Sequence, residues 1–232
     1  MNIDDLCLAV AREAGATAHG LALKSIRQKT IPLCKIAEEV TGAAEARIDH
    51  LFATSQLGPV ACAAGCAYCC YVPRVLVTLP ELARVVERVR AWPVDQIEAL
   101  KVRLEAHIQA QSSDVMSPAK RPPCALLAGG RCSVYDVRPL VCRGQHAYDA
   151  QECKTHCETG AGETSQLTVV FAVVRGAASG VVAAFHEMGA GGALLDLSRA
   201  LLLALENPKV IAQAANGLLS LAAATVEVVA PS

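Results

Sequence analysis

The residues of this chain best suited to chemistry are its cysteines. The segment Cys62-Ala-Ala-Gly-Cys66-Ala-Tyr-Cys69-Cys70 sets three thiols at spacings of four and three residues and places a fourth beside the third. Loops this short bring successive sulfurs to one centre at little closure entropy, and Gly65 offers the backbone angles such a turn requires. A second block supplies Cys124, Cys132, Cys142, Cys153 and Cys157. Side chains of adjacent residues diverge, so Cys69 and Cys70 are not expected to close on one tetrahedral ion. One of the two then serves another metal or another role. Together the blocks hold enough thiolates for two four-cysteine sites, or for one polynuclear cluster with thiols to spare. All-thiolate coordination selects soft or borderline metals, which leaves zinc or an iron–sulfur cluster as the cofactor and excludes Mg and Ca.

Four thiolates on Zn(II) carry a net charge of about minus two, which backbone amides or cations must offset. Arg138 and Arg143 flank Cys142 and are placed to do so. His146 and His156 lie in the same block and are able to ligate zinc, but the thiols suffice without them. His19, His50, His107 and His186 read as solvated or packed. Cys7 and Cys34 fall on helical patterns and read as small buried hydrophobes.

Eleven cysteines are an odd number, and Met1 to Val10 carries Asp4 and Asp5 with no positive charge ahead of its apolar patch, the wrong order for a secretory signal. A cytoplasmic protein with reduced thiols is expected, and grouped thiols there point to metal rather than to a disulfide framework. With a formal net charge of -1, and without a Lys/Arg run interleaved with aromatics, the chain lacks the electrostatic footprint of a nucleic-acid partner. Residues 167–185 form the most apolar stretch, but Arg175, Gly176, Ser179 and Gly180 interrupt it, so it is expected to be a buried bundle helix rather than a membrane span. No protein partner is indicated.

These thiols need a scaffold, and 232 residues, 53% of them hydrophobic and only 3% aromatic, must build its core from Ala, Val and Leu. Apolar periodicity predicts helices from Asp4 to about Ala14 and from Leu33 to about Thr54. Thr78-Leu79-Pro80-Glu81 is a capping box that starts a helix with Leu82, Val85, Val86 and Val89 on one face, and Trp92-Pro93 ends it. A second helix follows with Ile97, Leu100, Leu104 and Ile108. The segment 112–123 reads as a loop and 124–162 as largely irregular. Three further helices are expected over Thr164–Met188, Leu194–Glu206 and Lys209–Val228, although Val169, Val170, Val173 and Val174 also suit a strand. The expected fold is mainly α, a helical bundle supporting an irregular cysteine-rich metal-binding lobe. Its domains would be an N-terminal helical segment (1–57), the cysteine-cluster domain with an inserted helix pair (58–162) and a C-terminal helical segment (163–232).

The string Cys62-x3-Cys66-x2-Cys69-Cys70, then Cys124, then Cys132-Ser-Val-Tyr135-Asp-Val-Arg138-Pro139-Leu-Val-Cys142-Arg143, resembles the CxxxCxxCC cysteine-cluster family, also called the YkgJ-like zinc- or iron-chelating domain. The resemblance covers about Cys62 to Cys157. It implies metal or iron–sulfur binding through eight cysteines, here Cys62, Cys66, Cys69, Cys70, Cys124, Cys132, Cys142 and Cys153, with Cys157 competing for the last place. Some relatives resemble a flagellin lysine methylase, so a methylase-like enzyme using the cluster as cofactor is the alternative function. The Cys62-x3-Cys66-x2-Cys69 spacing is also that of radical S-adenosylmethionine enzymes, but those follow it with alternating strands and helices, which this chain does not. No catalytic serine motif, phosphate-binding glycine loop or spaced carboxylate pair assigns a reaction.

Overall fold

Two long helices open the chain, α1 (Ile3–Gln28) and α2 (Leu33–Thr54). The computed structural model describes residues 2–28, 32–54, 57–63, 65–71, 74–111, 121–190, 192–217 and 221–226. Helix α2 has the predicted bounds. Helix α1 runs nearly four turns past the predicted end at Ala14, because Ala14, Ala18, Ala22 and Ser25 continue its buried stripe. Alanine is the strongest helix former yet a weak hydrophobic signal, which is why periodicity alone stops short.

Helices α3 (Leu79–Arg90) and α4 (Val94–Gln111) form the predicted pair. Short α5 (Leu140–Arg143) and α6 (Ala150–Thr159) follow, then α7 (Thr168–Glu187), α8 (Leu197–Glu206) and α9 (Val210–Ala215). The strands β1 (Leu76–Val77), β2 (Leu127–Ala128), β3 (Arg131–Cys132), β4 (Leu194–Asp196) and β5 (Thr225–Val226) are two or three residues long. β1, β4 and β5 pair antiparallel in that order, and β2 and β3 form a hairpin across Gly129-Gly130. Both hairpin glycines take positive φ, 57° and 74°, the left-handed angles that a two-residue turn demands. The protein is mainly α, as expected.

Three predicted segments differ. The second cysteine block is not irregular throughout: α6 starts where the Asp149 carboxylate accepts from Gln151 N at 2.6 Å and ends at Gly160, φ 74°. The polar helix Ala-Gln-Glu-Cys-Lys-Thr-His-Cys-Glu-Thr has no apolar period to announce it. Leu194–Asp196 forms a strand, with Asp196 capping α8 through Arg199 N at 3.1 Å. The helix expected over 209–228 stops at Ala215, because Asn216 and the positive-φ Gly217 (78°) terminate it, and a 3₁₀ turn over Ala222–Ala224 leads into β5. Residues 218–220 and 227–228 of that segment, and 112–120 of the expected loop, lie outside the described residues.

α7 is a helix, not a strand, and packs along α1 at backbone distance. A Cβ at Gly176 would overlap the carbonyl of Ala11, and one at Gly180 that of Gly15. Only glycine permits this approach. Among the described residues α7 alone is long and apolar enough to cross a membrane, yet half of that span is buried within the protein. Arg175, Ser179, Ala183 and His186 form its exposed stripe. One apolar core, including Val10, Ile36, Leu82, Leu100, Leu140 and Val173, draws on helices before, within and after the cysteine-rich segment.

Candidate metal centre

The first cysteine block is a chain of tight turns. Cys66 N donates to Ala63 O at 3.0 Å around Gly65, whose φ is 92°, and a 3₁₀ turn over Tyr68–Cys70 follows with Cys70 N on Ala67 O at 2.9 Å. Two backbone ties bring the second block to it. Cys124 N donates to Cys70 O at 2.8 Å, and Ala61 N donates to Ala147 O at 2.9 Å. The Ala147 amide in turn donates to Cys62 Sγ at 3.4 Å, the kind of contact that offsets charge on a ligating sulfur. Cys132 ends the β2–β3 hairpin opposite Leu127, and Cys142 sits on α5.

The position of α5 depends on Glu81. Its Oε2 accepts from Thr78 N at 2.8 Å and from the Thr78 hydroxyl at 2.7 Å, which completes the predicted capping box, while Oε1 accepts from Leu140 N at 2.6 Å. One buried carboxylate therefore joins the start of α3 to the turn that presents Cys142. Burial pushes this carboxyl above the ordinary range, against the pull of its three donors.

Cys66, Cys69, Cys70, Cys124, Cys132 and Cys142 line one cavity of about 880 Å³. The neighbouring Cys70 thiol first, then burial and then the charge of Cys70, holds the Cys69 thiol far above its usual pKa. Burial pushes Cys124 up to about 11 and raises Cys132 and Cys142, with neighbouring thiols adding to each. Cys142 feels Cys124, Cys132 and Cys69 together. Cys153 of α6 is raised by burial and then by Cys62, Cys66 and Cys69, whereas the charges acting on Cys157 are Glu158 and Arg121. Of the two competing for the eighth place, Cys153 is the one on which the other thiols act. Cys7 and Cys34 line no part of this cavity.

The two arginines beside Cys142 do different work. Arg143 is buried and donates Nε to Arg138 O and Nη2 to Asp136 O, both at 2.9 Å, and pairs through Nη1 with Glu45 of α2. Its charge is directed away from the thiols. Arg138 lies 4.3 Å over the Tyr135 ring, lines the cavity and lowers the thiol pKa values of Cys69 and Cys132. It is the cation placed to compensate a metal–thiolate centre. His146 Nδ1 is buried with no hydrogen-bond partner among the described residues, and His156 Nδ1 lies 3.0 Å from Gly162 O.

Among the described residues no three His, Cys, Asp or Glu side chains are already closed at metal-ligand geometry. The thiols surround a space rather than a point. The donor set nonetheless fits a soft metal: sulfur only, convergent from two blocks, held by short turns and faced by a cation. Neither Glu81 as the α3–α5 tie nor the arginines of α7 and the β1 approach, Arg175 and Arg74, were singled out from sequence as parts of this site. The capping-box pattern marked Glu81, but its contact with Leu140 depends on tertiary structure.

No curated protein and no solved structure matches the chain. Residues 61–159 match the family model CxxCxxCC, described as "Putative zinc- or iron-chelating domain". That span runs from the residue before Cys62 to the end of α6 and encloses every thiol of the cavity. Over residues 61–159, then, the chain is similar to the CxxCxxCC family of zinc- or iron-chelating domains.

Proposed function

We propose that Cys62, Cys66, Cys69, Cys70, Cys124, Cys132, Cys142 and Cys153 hold zinc or an iron–sulfur cluster and that this centre is the working part of the protein. The observation that carries the proposal is the lining of one cavity by six of these thiols. Cys153 stands beside them, raised by Cys62, Cys66 and Cys69, and Cys62 Sγ accepts from the Ala147 amide at 3.4 Å. On binding a soft cation these buried thiols release their protons to solvent, and the metal charge compensates the thiolates that burial otherwise disfavours. The test is a set of single variants with bound metal measured per chain. C66S, C124S and C142S should lose metal, while C7S and C157S should retain it; equal loss in C7S and C66S would mean that the ligands are misassigned.

A second reading, the cofactor site of an enzyme, is favoured by one observation. The cavity beside the thiols has the size of a small-molecule site, on the order of 300–1,000 Å³, and a structural zinc site would be closed. Among enzymes the radical S-adenosylmethionine type is disfavoured, since strands of two or three residues do not build the barrel it uses. The methylase-like alternative is compatible with a helical frame. Turnover that disappears in C142S, with folding intact, would support an enzyme.

A further inference from the structure

The cavity has a second wall that the metal does not explain. Opposite the cysteine-bearing turns, α7 and the β4–α8 junction contribute Phe171, Val174, Ala178, Leu194 and Leu197, an apolar surface with no donor for a metal. Four arginines line the same space, among them Arg131 of the β2–β3 hairpin. Arg138 is stacked on Tyr135 and acts on the thiols. Arg74 stands 3.9 Å from the buried Asp196 carboxylate. Arg131 and Arg175 are both exposed and make no ion pair among the described residues; of the two, Arg175 belongs to the apolar wall, 6.0 Å from the Phe171 ring centroid. Ser179 lies one helical turn on, also exposed and also lining the cavity.

We infer that this cavity binds a small monocarboxylic acid with an apolar tail, the carboxylate on Arg175 and the Ser179 hydroxyl and the tail along the α7 wall toward the thiols. A planar guanidinium without an acid partner matches a carboxylate in a bidentate fork, and Arg175 is the one that adjoins the apolar wall where a tail can lie. The polarity sets the orientation. A thiolate-rich centre carries negative charge, so an anionic head is repelled from the inner end and held at the mouth, while apolar atoms fill the interior. A cationic ligand would meet Arg175 at the entrance, and a neutral one would leave its charge unused. The inference rests on the proposed metal centre only for the identity of the inner end.

Isothermal titration of the full chain with hexanoate, hexanol and hexylamine tests it, with metal content measured on the same samples. Hexanoate should bind at least tenfold more tightly than hexanol, and hexylamine should not bind. R175A should weaken hexanoate at least tenfold at unchanged metal content and unchanged melting temperature, and R175K should fall between. Hexanoate binding no tighter than hexanol, or binding equally to R175A and wild type, would overturn the inference whatever the metal content. Absence of metal with hexanoate binding intact would instead refute the proposed function and leave the carboxylate site standing.

Discussion

Removing the Glu81 carboxylate tests how the helical frame holds the thiols. Glu81→Ala leaves three donors without their acceptor: Thr78 N, the Thr78 hydroxyl and Leu140 N. Each orphaned donor costs about 1–3 kcal/mol, with the low end applying where water replaces the lost partner. Leu140 borders the cavity, so its amide can be rehydrated, and removing a carboxylate whose burial disfavours its charge offsets part of the loss. The net expectation is about 3 kcal/mol, equivalent to a fall in melting temperature of roughly 6–12 °C for a chain of this size. Glu81→Gln keeps one acceptor oxygen but turns an amide donor toward one arm, and should lose roughly half as much. Thermal unfolding followed by circular dichroism reads both, and removal of metal by a chelator should be faster in E81A because Cys142 is less firmly placed. A melting temperature for E81A equal to wild type would refute the role given to Glu81.

Other consequences are open to the same methods. Gly180→Ala should force α1 and α7 apart and cost about 1–3 kcal/mol by overpacking, while Gly20→Ala, whose Cβ meets nothing within 4 Å, should be neutral or stabilising; equal melting temperatures would contradict the close approach. Arg143→Lys keeps the charge but loses the fork that serves Asp136 O, Arg138 O and Glu45 together, so destabilisation of about 2 kcal/mol in denaturant titration is expected. His107 is buried among Ser198, Gln111 and the charge of Asp196, and burial holds its pKa below the ordinary 6.5. Its folded pKa is depressed, so the unfolded chain takes the proton first; stability is full above pH 6.5 and is lost as pH falls through the folded value. H107Q should flatten that decline, and an unchanged slope of stability against pH would show that another group controls it.

The parts of the fold that were legible in sequence are those with strong local chemistry. The Thr78–Glu81 box and the valine stripe that follows defined α3, and the expected break between Glu206 and Lys209 is the one that separates α8 from α9. Alanine-rich α1 and polar α6 lacked a hydrophobic period, and so appeared too short or not at all. At the site, the grouping of cysteines was evident from spacing, but Cys153 and Cys157 lie one turn apart on the same helix. Their difference comes from what α6 packs against, which no local pattern encodes. Arg138 and Arg143 likewise looked equivalent beside Cys142. The fold turns one toward the thiols and the other toward Glu45.

The central claim is that the eight thiols bind metal, and the most direct measurement is elemental analysis with acid-labile sulfide on full-length protein purified without oxygen. The account predicts either zinc without sulfide or iron with sulfide in comparable amount, bound at one or more equivalents per chain and lost in C66S and C142S. Protein that is folded, fully reduced and free of both metals after exposure to zinc and to iron with sulfide would contradict it.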